Sequence, residues 1–141
     1  FRTGDGPWQI AFYDLDWAFQ TRSNCFFNLI GSGQTAQLAP TIRWLFGIDD
    51  FKERLLTRYA ELTETTLSDE HVTEKIDEFR ALLAPEIARE RAHWGGSEEG
   101  WNEQVDALRA NIADDYAAHT VRNLCSILGM GEEERMEYFG F

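Results

Sequence analysis

Only one short stretch of this chain alternates apolar and polar residues with the period of a strand. Trp8, Ile10 and Phe12 alternate with Gln9, Ala11 and Tyr13, which puts every second side chain on one face of an extended segment. Ahead of it, Thr3-Gly4-Asp5-Gly6-Pro7 is dense in turn formers. With Phe1 and Arg2 before the turn, the segment reads as the end of a β-hairpin. Asp14-Leu15-Asp16 ends the alternation, because Asp is a poor strand former and favours turns. Residues 20–35, with Ser23, Asn24, Asn28 and Gly31-Ser32-Gly33, read as a loop of a length that is uncommon in a compact domain and often functional.

From about residue 36 the apolar residues recur every three or four positions, the helical period. Thr35 could cap a short helix through Phe46, with Pro40 in its first turn and Gly47 at its end. A second begins after Ile48, with Asp49 and Asp50 at its positive end and Phe51, Leu55, Tyr59 and Leu62 on its apolar face. Ser68 is the cap expected of a third, whose stripe is Val72, Ile76, Phe79 and Leu83. Pro85 removes a backbone donor and is expected to bend or break that helix. Ile87 and Trp94 carry the stripe on to Gly95-Gly96. A fourth starts near Ser97, carries Trp101, Val105, Leu108 and Ile112, and could run to Leu128. A last short helix spans Glu132 to Phe139. The fold class expected is mainly α (α+β), one domain over 1–141, with a hairpin in 1–20 and a helical subdomain in 36–141.

Charge narrows the partners. Thirteen basic against 25 acidic residues leave a net charge of −12, which argues against broad binding to nucleic-acid phosphates or anionic membranes. No apolar run approaches the ~20 residues of a membrane span. The 10 Phe, 5 Trp and 4 Tyr supply apolar surface enough to offset the entropy of ordering. Cys25 and Cys125 fit no metal-ligand spacing or disulfide framework and read as plain thiols. The chain opens on Phe with no signal-like segment, and is expected to be internal to a longer protein.

Asp14 and Asp16 are the residues that could carry chemistry. Two carboxylates at i and i+2, delivered by a strand into a loop, suit a hard cation such as Mg²⁺, which takes one or two carboxylates plus phosphate oxygens and water. Tyr13, Leu15, Trp17 and Phe19 around them would keep the pair partly dry, where charge counts for more. The alternative is that the acids merely end a strand and cap a turn. Spacing alone favours that alternative, because the Asp-x-Asp pattern arises often by chance.

The surrounding residues add information that spacing lacks. Trp8 through Phe19, and above all Tyr13-Asp-Leu-Asp-Trp-Ala-Phe19, resembles the signature of the CotH kinase family, the spore-coat protein H type of atypical kinase. Leu45-Phe46 with Phe51 to Tyr59, Pro85-Glu86-Ile87, His93-Trp94, Trp101 and Leu108-Arg109 echo that family's helical part more loosely. The resemblance implies the helical C-lobe of an atypical kinase-like fold. It also implies that Asp14 holds Mg²⁺ against the β- and γ-phosphates of ATP, with Asp16 a second ligand or an organiser of the loop. One departure is Gln20, where family members often have Gly, which bears on the loop's shape. A nucleotide-clamping lobe, a phosphate-contacting Lys and a catalytic Asp would all precede this hairpin in the family's order. The chain is therefore expected to be the C-terminal part of a kinase-like domain that needs its N-terminal lobe and is silent alone. The implied substrate is a Ser- or Thr-containing coat or surface protein, and the implied location the spore coat or cell surface.

Other polar residues carry less. His71, His93 and His119 have no zinc-site spacing. Arg54, Arg58, Arg89, Arg91, Arg109 and Arg122 read as solvated partners of the abundant acids. Trp44, Trp94 and Trp101 lie on helical stripes and are expected in the core, with part of that stripe facing the absent lobe. Two competing functions stay open: a non-catalytic helical coat or surface scaffold, and a nucleotide-binding pseudokinase.

Overall fold

A computed structural model of the chain describes residues 3–6 and 39–141. The expected turn is present at its start. The Gly6 N–H donates to the Thr3 carbonyl at 3.1 Å and Gly4 has φ +57°. A positive φ at the first central residue followed by a negative one is the sign pattern of a hairpin-type II′ turn. The strand expected at residues 8–13 and the loop at 20–35 lie outside the described residues, as does the Thr35 cap.

The remainder is helical: α1 Ala39–Phe46, α2 Asp49–Glu64, α3 Asp69–Trp94, α4 Glu98–Ala113, α5 Tyr116–Leu128 and α6 Glu132–Phe139. No strand occurs among the described residues, and the protein is mainly α. Pro40 sits in the first turn of α1, where the N–H it lacks would have had no intrahelical partner. Ser68 caps α3 by accepting the His71 N–H at 3.2 Å, and Ser97 caps α4 by accepting that of Gly100 at 3.0 Å. Gly129, at φ 68°, ends α5 in the left-handed conformation, and the Met130 N–H reaches back to the Cys125 carbonyl at 3.0 Å.

Three expectations need correction. Of the bend or break expected at Pro85, the break does not occur, since α3 continues to Trp94. Pro85 lies on the exposed side, where water can take the carbonyl it leaves unpaired, and buried Ile87 anchors the next turn. The long helix from Ser97 to Leu128 is two helices. The chain reverses at Asp114 and Asp115, and Asp115 adopts φ 60°, ψ 39°, a left-handed conformation that Asp tolerates better than most residues. Trp44 and Trp94 are 66% and 76% exposed and are not core residues; Trp101 is half-buried.

The break between α4 and α5 is held from outside. Asp115 stands at the N-cap of α5 but makes no side-chain cap bond; its carboxylate receives Arg122 Nη2 at 2.9 Å instead. The cap comes from α3, where Asp69 Oδ1 accepts the Ala117 N–H at 2.8 Å. One carboxylate thus satisfies a donor that α5 cannot pair internally and ties the start of α3 to the start of α5.

Packing then follows. α3 and α4 form the most extensive helix–helix contact. α5 returns over α2 to make the core of Leu56, Val121, Leu124, Cys125 and Phe139, with Leu55, Tyr59, Leu128 and Met130 against it. Tyr59 meets Phe139 edge-on, with ring centroids 6.3 Å apart. The face of α2 is rotated from the one expected, since Leu56, at 1% exposure, lies deepest and Leu55 and Tyr59 flank it. The Cys125 thiol is buried and free, and desolvation raises its pKa more than the nearby Arg135 charge lowers it.

Two measurements check this packing. Asp69→Ala should lower unfolding stability by about 1 kcal/mol in denaturant titrations, the usual size of a lost cap, and Asp69→Asn by less. For Cys125 the folded state favours the neutral thiol, so its contribution is complete below the unfolded thiol value of about 8.5 and lost as pH rises above it. The stability advantage of the native chain over Cys125→Ala should therefore shrink between about pH 8 and 10.

Candidate functional site

Asp14 and Asp16, the residues singled out for metal and nucleotide, lie outside the described residues. The helical part is described, and its polar clusters are engaged in holding helices together. Asp77 and Arg80 on α3 face Arg109 and Asp106 on α4. Arg109 Nε donates to Asp77 Oδ1 at 2.9 Å and to Oδ2 at 3.1 Å, and Arg80 Nη1 to Asp106 Oδ1 at 2.6 Å. Arg80 also reaches Asn102 Oδ1 through Nη2 at 2.7 Å.

Each helix contributes the same Asp-x-x-Arg sequence, and antiparallel packing sets each Asp against the other helix's Arg. Bonding to Asp77 and its charge push the Arg109 guanidinium above its already high pKa. These contacts are solvent-exposed, and such pairs fix register more than they add stability. Repeated Asp-x-x-Arg on consecutive helices was the sequence signal for this seam, and reading helix by helix misses it.

Below the seam, Asp69, Glu70, Thr73, Glu74, Asp77, Arg109 and Ala113 line an open groove of about 390 Å³. Four of its seven lining residues, Asp69, Glu70, Glu74 and Asp77, are acids, so the groove repels phosphate, and Asp69 and Asp77 are already occupied. Arg54, Arg58, Arg89, Arg91 and Arg122 all pair with acids, as expected. His93 stacks edge-on against Trp94 at 4.6 Å, and His119 Nε2 lies 3.2 Å from Asn123 Nδ2. Among the described residues no group of three or more His, Cys, Asp or Glu is placed to hold a metal, and no helix is long and apolar enough to cross a membrane.

A family model described as CotH kinase protein matches residues 1–117. The match takes in the Tyr13–Phe19 run, α1 to α4 and the Asp114–Asp115 reversal. No curated protein and no solved structure matches the chain. The chain belongs to the CotH kinase family and is a kinase-like protein.

The seam has its own test. Asp77→Arg should destabilise the chain by setting two cations opposite each other, and the exchanged pair Asp77→Arg/Arg109→Asp should recover most of the loss. Thermal melts of the two variants measure this, and equal losses would remove the pair from the account of helix register.

Proposed function

We propose that this chain is the metal-holding, C-terminal part of a CotH-type protein kinase that transfers the γ-phosphoryl group of ATP to a Ser or Thr of a protein substrate. The observation that carries this reading is the family match across Tyr13-Asp-Leu-Asp-Trp-Ala-Phe19. The donor set agrees with it, since two carboxylates two residues apart fit Mg²⁺ better than a softer metal. When bound, the ion would offset negative charge on the β- and γ-phosphate oxygens.

The chain's own residues have narrower tasks. Asp14 holds the metal, and Asp16 is a second ligand or keeps the loop in shape. The apolar residues Tyr13, Leu15, Trp17 and Phe19 would keep water from the pair. In the transfer, the substrate oxygen bonds to the γ-phosphorus as the bond to the β-phosphate oxygen breaks, leaving ADP. The hydroxyl proton passes to a base that this reading places ahead of residue 1, together with the nucleotide-clamping lobe.

Phosphotransfer by the intact protein carrying this chain tests the reading. Asp14→Asn keeps the shape and removes the charge, so transfer should fall by about two orders of magnitude or more. Its melting temperature should hold or rise, because repulsion from Asp16 is relieved. Asp16→Asn should cost less if that residue only supports the loop. Near-normal transfer by a folded Asp14→Asn variant would exclude Asp14 as the ligand. Nucleotide binding without transfer by the native protein would make it a pseudokinase, and neither would leave a scaffold.

A further inference from the structure

α3 has two working edges, and one of them has no assigned task. The first meets α4 through Asp77, Arg80 and Ile87. The second carries Phe79, Leu82 and Leu83, which are 60%, 70% and 47% exposed, with Lys75 and Glu86 exposed beside them. Large apolar side chains grouped on a surface and rimmed by charge mark an interaction site more often than chance.

The order of residues on this edge is specific. Lys75, Phe79, Leu82 and Glu86 are spaced four, three and four apart, so the helical period puts all four on one side. The spacing is the same read from either end, and the end residues carry opposite charges. Turned end over end about an axis between Arg80 and Ala81, the run meets its own complement. Lys75 falls opposite Glu86 of a second copy and Phe79 opposite Leu82, each contact occurring twice as a closed two-fold interface requires. The α3–α4 seam of the same chain uses this device already, with Asp77 against Arg109 and Arg80 against Asp106.

We propose that this edge of α3 binds a second copy of the chain, α3 antiparallel to α3, in a symmetric dimer. A second copy fits better than a strongly charged partner because the edge is balanced, with one cation and one anion flanking apolar residues. In the free chain Lys75 Nζ bonds Glu78 at 2.7 Å and Glu86 bonds Arg89 at 2.5 Å; both are local surface pairs that cost little to exchange. The net charge of −12 on each copy opposes approach, but salt at physiological strength screens it beyond about 8 Å. One helix pair buries less than the about 1,200 Å² of a standard interface, so the dimer is a weak one, with a Kd of about 10–100 μM.

Sedimentation equilibrium of the intact protein carrying this chain over about 5–500 μM brackets that value, and an edge covered by the N-terminal lobe would leave that protein monomeric. The expected result is reversible dimerisation. Lys75→Glu and Glu86→Lys should each weaken it about tenfold or more, since each sets two like charges face to face. The double variant Lys75→Glu/Glu86→Lys should restore it to within about threefold, and Leu82→Ser should abolish it. All three substituted positions are exposed, so circular dichroism should show unchanged helix content in every variant. A chain that stays monomeric through this range overturns the proposal. So does a dimer that ignores the single charge reversals, or one that the double exchange fails to rescue.

Discussion

The carboxylate of Asp69 is the joint on which the helical body turns. It sits in the first turn of α3, where its charge suits the helix's positive end, and it accepts the Ala117 N–H in the first turn of α5 across the fold. That bond gives the reversal at Asp114–Asp115 a tie to a helix distant in sequence. With it, α5 is aimed back across α2, and Val121, Leu124 and Cys125 reach Leu56. The energies have different roles. The core side chains contribute about 1.5–3 kcal/mol each on burial, well above the cap, yet burial has no direction and the cap does.

That division also places the family match. The matched region ends at Ala117, just after the capped turn. Val121, Leu124, Cys125 and Phe139 lie beyond it and supply most of the buried core cluster. Among the described residues, a C-terminal helical pair therefore closes this core, with Leu56 of α2, flanked by Leu55 and Tyr59, as the contribution from the matched side.

Much of this was legible in the residues. Ser68 and Ser97 marked two helix starts, and Gly47, Gly95 and Gly129 the ends, because caps act locally and need only their neighbours. The break at Asp114–Asp115 was not legible. The apolar series Val105, Leu108 and Ile112 gives no warning of it, and the residue that stabilises it is on another helix. The stripe of α3 misled differently: Val72 and Ile76 are half-buried as expected, while Phe79 and Leu83 further along are exposed. Periodicity locates an apolar face but does not say what covers it. The candidate site depended on a third kind of signal. Two Asp residues two apart say little by spacing, and only the Tyr, Trp, Ala and Phe around them gave the family.

The claim that Asp14 holds the metal of a metal–nucleotide complex makes that metal part of nucleotide affinity. Equilibrium binding of ATP to the intact protein, with and without Mg²⁺, for the native sequence and for Asp14→Asn, measures this directly. The account predicts that Mg²⁺ tightens ATP binding to the native protein and that the Asn variant loses most of that gain while still folded. An undiminished Mg²⁺ dependence in the Asn variant would contradict it.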